Sequence, residues 1–352
     1  MRFPTTTEAW TFYQDLMRQK AGITPRTFEW YPYDSIGNIQ NIHALMGDKA
    51  DLLFDVAGDG PVLDVGTADG DLAFFLESLG FSAHSIDNPT TNYNGMLGIK
   101  AMKAARGSAM EILEMDLDDR FEMPERQYPL AFCLGLIYHL KNPLYTLEML
   151  AKHVRHAVFS TRGAAKGQDL PALAYLLEGG EMNNDDSNHW IFSTAGFRKA
   201  LKKSKWEVLE YMSMPVSETG DQRDFCFVKS VFGLGNVELL EGWHEYVPAG
   251  WRWTEKKFSF RFEPRPSHTM RIYLFLHQSI LSALGPVTMH VRLDGVDAGS
   301  MLMQRAGEYV YRIPITERKE SGMVTIELDK ATVPGDADQR ELGLIVSSVE
   351  FE

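Results

Sequence analysis

The stretch VLDVGTADGDLAFFLESLGFSAHSID, Val62 to Asp87, constrains the fold more than any other. Val62, Leu63 and Val65 form the apolar run of a strand covered on both faces. Gly66 and Gly70 flank a turn in which backbone can approach a ligand closely. Asp71 opens a helix whose apolar residues Leu72, Phe75, Leu76 and Leu79 recur at helical spacing, and Gly80 closes it. Ala83 to Ile86 returns as a second strand, with Asp87 at its end. This order of elements is a βαβ unit, which calls for a parallel sheet covered by helices. A carboxylate about 20 residues beyond such a turn takes the hydroxyls of a ribose in nucleotide-binding α/β folds.

The turn is not a dinucleotide fingerprint, which needs a third glycine. Asp64, Asp69 and Asp71 crowd it with negative charge. That charge repels phosphate and suits a ligand carrying a ribose and a positive centre. S-adenosylmethionine carries a ribose, a sulfonium and an ammonium. The segment resembles motif I of class I methyltransferases, a hydrophobic run followed by D/E-x-G-x-G-x-G. Asp64, Gly66, Ala68 and Gly70 occupy the pattern, with alanine at one glycine position.

At 352 residues the chain is long enough for two domains of roughly 100–200 residues each. A net charge of −13 is poorly matched to sequence-independent phosphate binding, so nucleic acid is disfavoured as a partner. Cys133 and Cys226 lie in apolar β-like runs and read as buried small hydrophobes, with neither a disulfide framework nor a zinc spacing. The N-terminus lacks an apolar signal region, and no run of about 18 apolar residues occurs, so a cytoplasmic protein without a membrane span is expected.

Thr5 or Thr6 can cap a first helix with Glu8 in its first turn, and Trp10, Tyr13, Leu16 and Met17 would form its buried stripe. A second helical pattern lies within Tyr31 to Met46. Beyond the βαβ unit, strands are expected at Ala109–Met115, Leu130–Leu136 and Ala157–Ser160, with a helix at Pro143–Val154. A polar stretch, Gly179 to Trp190, precedes a helix at Thr194–Lys203 and two last strands, Trp206–Tyr211 and Asp224–Ser230. The alternation implies a parallel, doubly wound sheet. After a GLGN linker at Gly233–Asn236 the texture changes to short apolar runs with little helical periodicity. Phe258 to Phe262 alternates strictly, and Asp294-Gly295 is a strong hairpin signal.

The expected fold is therefore α/β, a Rossmann-like doubly wound sheet with an N-terminal helical cap, followed by an all-β sandwich or jelly roll. The expected bounds are a cap over residues 1–48, a cofactor-binding domain over 49–231 and a β domain over 237–352.

Three further segments extend the resemblance over residues 30–230. Glu114-Met115-Asp116-Leu117 follows the third strand, where class I methyltransferases bracket adenine with an acid and an apolar neighbour. FCLGLIYHLKNPLYTLEML, Phe132 to Leu150, resembles the G-x-x-Y-H-L-x-x-P segment of methyltransferases related to the tRNA wobble-uridine carboxymethyl-transfer enzyme. Asn188-His189-Trp190 is loosely similar to an N-W-W-x-P pattern of that group. Trp251-Arg252-Trp253 and Asp338 to Leu344 resemble a small β domain found beside enzymes of surface-polysaccharide assembly.

The resemblance implies S-adenosylmethionine as cofactor, held by Asp64, Gly66, Thr67, Ala68, Gly70, Asp87, Asn88, Asp116, Leu117, Leu134 and Gly135. His139, at the carboxyl edge of the fourth strand, is the candidate general base, and Tyr138 the neighbour placed to touch sulfonium or acceptor. Tyr33, Asp34 and Asn38 in the cap, with Asn188, His189 and Trp190, are candidate substrate contacts. Tyr31 reads as packing. Asn183, Asn184, Asp185, Asp186 and Asn188 carry metal-type oxygens, but such a loop is usually just solvated, so no metal is expected.

Methyl transfer to a hydroxyl of a small molecule, sugar or glycan follows, with the oligomeric state left open. A tRNA wobble-base modifier is the rival enzyme, and net charge −13 weighs against it. The non-enzyme rival is a degenerate scaffold carrying a glycan-binding or assembly module.

Overall fold

The computed structural model describes residues 2–124, 128–164, 171–182, 184–214, 222–245, 251–263, 267–315, 320–335 and 338–351. Asn183 lies outside them, as does part of the Gly242–Phe262 segment. The chain divides into two compact units, Met1–Ser230 and Val231–Glu352.

In the first unit the elements run α1 (Thr6–Gly22), α2 (Asn38–Met46), α3 (Leu52–Ala57), β1 (Val62–Val65), α4 (Asp71–Ser78), β2 (Ala83–Asp87), α5 (Leu97–Arg106), β3 (Glu111–Glu114) and β4 (Tyr128–Leu134). They continue as α6 (Pro143–His153), β5 (Val154–Gly163), β6 (Ala174–Leu176), β7 (Trp190–Phe192), α7 (Thr194–Lys203), β8 (Trp206–Ser213) and β9 (Gln222–Ser230). Strands β3, β2, β1, β4 and β5 lie side by side in that order, all parallel. The order reverses between β1 and β4, which opens the crevice where ligands bind in such sheets.

The expected all-parallel sheet is corrected at its far side. β9 pairs antiparallel with both β5 and β8, and the short β6–β7 hairpin joins the end of β5 through Gly163 and Phe192. β8 and β9 follow one another as neighbours in the sheet, so they pair antiparallel without a crossover helix. Trp206 anchors this side: its indole is buried and donates to the Leu147 carbonyl of α6 at 2.9 Å.

Helix α1 begins where its capping residues dictate. Thr5 accepts from the Glu8 amide, and the Glu8 carboxylate returns a bond to the Thr5 amide at 2.7 Å. Its buried stripe differs from the expected one. Trp10 and Met17 face outward, and Ala9, Leu16 and Lys20 are buried. Lys20 is 3% exposed, and its ammonium sits 3.3 Å from Asp69 Oδ2 and 2.7 Å from Asp71 Oδ1. The stripe is polar at its end because the helix docks on the acidic turn between β1 and α4. Trp30 adds its ring face 5.3 Å from the same ammonium.

The second unit holds β10 (Glu238–Leu239), β11 (Arg252–Trp253), β12 (Lys257–Phe262), β13 (Thr269–Leu276), α8 (Gln278–Leu284), β14 (Val287–Leu293), β15 (Val296–Met303), β16 (Gly307–Pro314), β17 (Gly322–Leu328) and β18 (Ile345–Phe351). They form two antiparallel sheets, β10-β12-β17-β14-β15 and β11-β18-β13-β16. Phe258, Phe260, Ile272, Leu274, Val291 and Ile326 are among the residues that fill one core. Asp294 and Gly295 take the left-handed conformations of a two-residue hairpin, closing β14 on β15 through Leu293 and Val296. Trp243 packs edge-on against Phe258 and donates to the Ser259 carbonyl, which commits its ring to the core.

Replacing Lys20 by Met leaves two buried carboxylates without their cation. Urea unfolding should show a loss of about 3–5 kcal/mol, and adding Asp69→Asn and Asp71→Asn should recover part of it. A loss below about 1 kcal/mol in the single variant would mean the ammonium does not hold α1 to the turn.

Candidate active site

The glycine turn is built by backbone first. The Gly66 amide donates to Ile86 O at 2.9 Å, and Gly70 N to Thr67 O at 2.8 Å. Gly66, Ala68 and Gly70 all have positive φ. At Gly70 a Cβ would lie 2.8 Å from Ile99 and 3.0 Å from Phe74, so only glycine fits there. Gly98 serves a different purpose, since a Cβ there would overlap the Asp69 carboxylate.

The three acids of the turn divide their tasks. Asp69 accepts from the Tyr31 amide at 2.7 Å and from Asn94 Nδ2 at 2.8 Å, besides pairing with Lys20. Asp71 pairs with Lys20 as well. These two carboxylates hold the cap and the β2–α5 connection to the turn, and their charge is answered from within the protein. Asp64 is buried at 4% exposure, and Thr67 Oγ1 donates to its Oδ2 at 2.7 Å. Burial pushes its carboxyl up to about 7, with Asp87 and Asp71 adding to the rise against the Thr67 bond.

Asp87 stands at the carboxyl end of β2. Its Oδ2 accepts from the Ala68 amide at 2.8 Å and from Asn92 Nδ2 at 3.0 Å, and its Oδ1 from the Asn88 amide at 2.8 Å. Each carboxylate oxygen can accept twice, so Oδ1 keeps capacity for a ligand hydroxyl. Asn88 Oδ1 turns to the Thr90 amide. Asp116 is exposed and accepts from the Asp118 amide, while Leu117 is buried and its carbonyl takes the Thr146 hydroxyl. Met115, bonded through its amide to Asp87 O, is the half-open apolar side chain of that edge. Leu134 and Gly135 end β4, half-buried, and a Cβ on Gly135 would meet the Tyr138 hydroxyl at 3.5 Å. These residues fit a ribose-bearing cofactor: a bonded carboxylate with spare acceptor capacity, a turn of positive-φ backbone and an unobstructed glycine lie along one edge.

His139 follows on a 3-10 turn, Ile137–His139. Its Nδ1 lies 3.1 Å from the Ser187 carbonyl and 2.9 Å from Ser187 Oγ. Ser187 Oγ donates to Asp185 Oδ1 at 2.6 Å. A carbonyl only accepts, and a hydroxyl already donating to a carboxylate accepts too. Nδ1 therefore carries the proton, and Nε2 keeps its lone pair. Burial pulls the imidazole below its ordinary value, with Arg162 and His189 acting in the same direction and the Ser187 carbonyl and Asp185 opposing. The ring is a neutral base at neutral pH.

The remaining candidates separate. Tyr138 is 5% exposed and packs against His139 with ring centroids 4.2 Å apart. The His189 amide donates to Tyr138 O at 2.8 Å, and the Trp190 indole to Lys141 O at 3.3 Å, so both flank the His139 turn. Asn188 is buried and bonds the Met182 and Asp185 carbonyls, shaping the loop that carries Ser187. Tyr33 is 77% exposed, Asp34 caps the Gly37 amide, and Asn38 Nδ2 bonds Ser35 O. Tyr31, read from sequence as packing, is the cap residue drawn toward the centre. Burial pushes its phenol up to about 12, and the charges of Asp87, Asp185 and Asp69 reach it. No local pattern in the sequence marks it, because the main-chain bond that places it reaches Asp69, 38 positions away. Among the described residues no group of three or more His, Cys, Asp or Glu is placed to hold a metal ion.

Residues 40–211 match the family model described as a methyltransferase domain. The first unit has a Rossmann-like methyltransferase fold. The N-terminal domain of EvdMO1 with SAH bound is similar at 16% identity, with a TM-score of 0.42 over 62% of this chain and 96% of that one. The CcbJ methyltransferase from Streptomyces caelestis is similar at 15% identity, TM-score 0.38, covering 51% of this chain and 88% of that one. An S-adenosylmethionine-dependent methyltransferase from Clostridium acetobutylicum ATCC 824 is similar at 12% identity, TM-score 0.38, covering 56% of this chain and 99% of that one. No curated protein sequence matches the chain. No helix among the described residues is long and apolar enough to cross a membrane.

Asp64 supplies a test by pH. Its folded value of about 7 lies above the ordinary 3.8, so its contribution to stability is full below about pH 4 and lost as pH rises through 7. Asp64→Asn, which still accepts from Thr67, removes that loss. Its melting temperature should exceed the wild type's at pH 8 and match it at pH 4. Parallel curves across that range would show that Asp64 is not held protonated by burial.

Proposed function

We propose that the chain is an S-adenosylmethionine-dependent methyltransferase acting on a hydroxyl of a small molecule or sugar. One observation carries the reading: a neutral imidazole whose Nε2 makes no hydrogen bond among the described residues follows the carboxyl end of β4, in the sheet whose β2 ends at Asp87 with acceptor capacity left on Oδ1. The cofactor supplies a methyl group activated on a sulfonium. Asp87 Oδ1 would accept from its ribose, the Gly66 turn and Gly135 would line its amino-acid portion, and Met115 with Leu117 would border the adenine side. Asp64 stands behind the turn and supports it through Thr67.

Transfer to a hydroxyl is an in-line displacement, so the protein's main tasks are alignment and exclusion of water. His139 Nε2 takes the acceptor's proton as the oxygen–methyl bond forms, and Ser187 and Asp185 stabilise the imidazolium through Nδ1. Tyr31, Tyr138 and Trp190 wall the acceptor side. Aromatic side chains in a chain of net charge −13 suit a small molecule or sugar better than a nucleic acid.

The first test is calorimetric titration with S-adenosylmethionine and S-adenosylhomocysteine. Micromolar binding that weakens at least tenfold in Asp87→Ala is the expected result, and no binding by folded protein would overturn the reading. With an acceptor in hand, His139→Gln should lower kcat by roughly 10²–10⁴ and leave cofactor affinity unchanged. Because burial lowers the His139 value, wild-type kcat/KM should hold down to pH 6.5 and fall below it as Nε2 is protonated. A rate independent of pH from 5 to 8 would remove His139 as the base.

A further inference from the structure

Tyr93, in the β2–α5 connection, is 59% exposed, yet buried side chains hold the backbone on either side of it. Asn92 donates through Nδ2 to Asp87 Oδ2 at 3.0 Å, and its Oδ1 accepts from the amides of Asn94 at 3.2 Å and Met96 at 2.9 Å. Asn94 donates through Nδ2 to Asp69 Oδ1 at 2.8 Å and to the Glu29 carbonyl at 3.1 Å, and its Oδ1 accepts from the Gly98 amide at 3.2 Å. Gly95 and Met96 follow with φ of 64° and 62°. Met96 is fully buried, and a residue with a side chain enters the left-handed region at a cost that surrounding bonds must offset. The segment is therefore fixed to Asp87 at one end and to the cap at the other.

These bonds account for both asparagines and for the turn, but not for a large aromatic ring between them. Among the described residues the Tyr93 side chain makes no hydrogen bond. Its ring meets that of Tyr31, in the connection between α1 and α2, at 5.6 Å between centroids and 68° between planes. An edge-to-face pair uses a face of one ring and an edge of the other, so each ring keeps a face for another partner. Tyr31 is held in turn by the bond from its amide to Asp69. Asn88, the neighbour of Asp87, turns its Oδ1 to the Thr90 amide and brings no apolar side chain to the carboxylate.

A nucleoside has a hydroxylated edge and an apolar face. A carboxylate at the end of the second strand takes the hydroxyls, and an aromatic ring suits the base or the C–H face of the sugar. The connection carries both in fixed relation, Asp87 through the Asn92 amide and Tyr93 as the next residue. We propose that Tyr93 is a further cofactor-binding residue, its ring packing against the nucleoside whose ribose Asp87 would take, and that Tyr31 positions that ring. This role rests on the methyl-transfer reading.

The full chain is titrated calorimetrically as wild type, Tyr93→Ala and Tyr93→Phe. The ligands are S-adenosylhomocysteine and methylthioadenosine, which keeps the nucleoside and lacks the amino-acid portion. Tyr93→Ala should weaken both by at least about tenfold and by the same factor, the scale of losing one stacked base. Tyr93→Phe, which keeps the ring, should stay within about twofold of wild type. Tyr31→Leu should weaken both ligands by a smaller factor and add nothing in the Tyr93→Ala background. Additive weakening would remove Tyr31 as the positioning residue. Melting of each ligand-free variant checks folding, and Tyr93→Leu, apolar without a ring, serves if the alanine variant melts below the assay temperature. Unchanged affinity in folded Tyr93→Ala, with or without a lowered melting temperature, overturns the nucleoside contact and leaves the methyl-transfer reading standing. Weakening confined to S-adenosylhomocysteine overturns it as well, since the ring would then act on the amino-acid portion. Failure of wild type to bind either ligand overturns the contact together with the methyl-transfer reading.

Discussion

The buried ammonium of Lys20, held between Asp69 and Asp71, is the interaction on which the site's geometry depends. A cation at 3% exposure is tolerated only when its charge is matched at short range. Two carboxylates match it, and both belong to the turn that must present backbone to a ligand. Asp69 then brings three further features to one place: the Tyr31 amide from the cap, Asn94 from the β2–α5 connection, and Gly98, whose missing side chain makes room for its carboxylate. The cap is thereby fixed to the turn by electrostatics as well as by the apolar contacts of Leu16 and Phe12. The turn's acids thus mean something different from what their crowding suggests. Two of them balance an internal cation and Asp64 is buried behind the turn, which leaves Asp87 as the acid with acceptor capacity to spare.

Much of this architecture is legible in residues whose local signal is strong. Thr5 and Glu8 announce the start of α1, Pro143 the start of α6, Ser193 the start of α7, and Asp294-Gly295 the hairpin of the β domain. The β1–α4–β2 unit follows from its apolar spacing and its glycines. Other features are invisible for physical reasons. A strand buried on both faces has the same composition whether its neighbour runs parallel or antiparallel, so the reversal of β9 could not be read from Phe225, Cys226 and Phe227. Lys20 shares the face of Ala9 and Leu16 at helical spacing, but a lysine reads as solvated by its type, because only the tertiary partner makes its burial tolerable. Helix α5 starts after Met96 in a left-handed conformation, held by the Asn92 side chain, and offers none of the usual capping residues at its start.

The candidate site divides along the same line. Asp87, Gly66 and Gly135 are legible because they sit at fixed offsets from strand ends. The partners of His139 are not, since Ser187 and Asp185 lie 48 and 46 positions downstream in a polar loop with no periodicity. A loop rich in Asn and Asp invites a metal reading from composition alone. In the fold, Asn188 turns inward to bond main-chain carbonyls, and Asp185 spends one oxygen on Ser187. The chemistry of the loop is orientation of an imidazole.

This arrangement ties the proposed base to the 184–190 loop more closely than to the glycine turn. His139 sits on a turn fixed by β4, yet its tautomer is set by the 184–190 loop, whose His189 amide and Trp190 indole also grip the same turn at Tyr138 and Lys141. Any displacement of that loop therefore moves three things together: the proton on Nδ1, the position of Tyr138 and the Trp190 indole on Lys141. The cofactor half has no such freedom, because the Lys20 cluster and the Asp87 bonds pin it to the rigid carboxyl ends of β1 and β2. In the proposed reaction, changes in the loop would retune which hydroxyl is deprotonated without disturbing the turn. The cost is that the imidazole and the shape of the loop cannot be adjusted separately, since Ser187 serves the imidazole and lies one residue from Asn188, the side chain that holds the loop in shape.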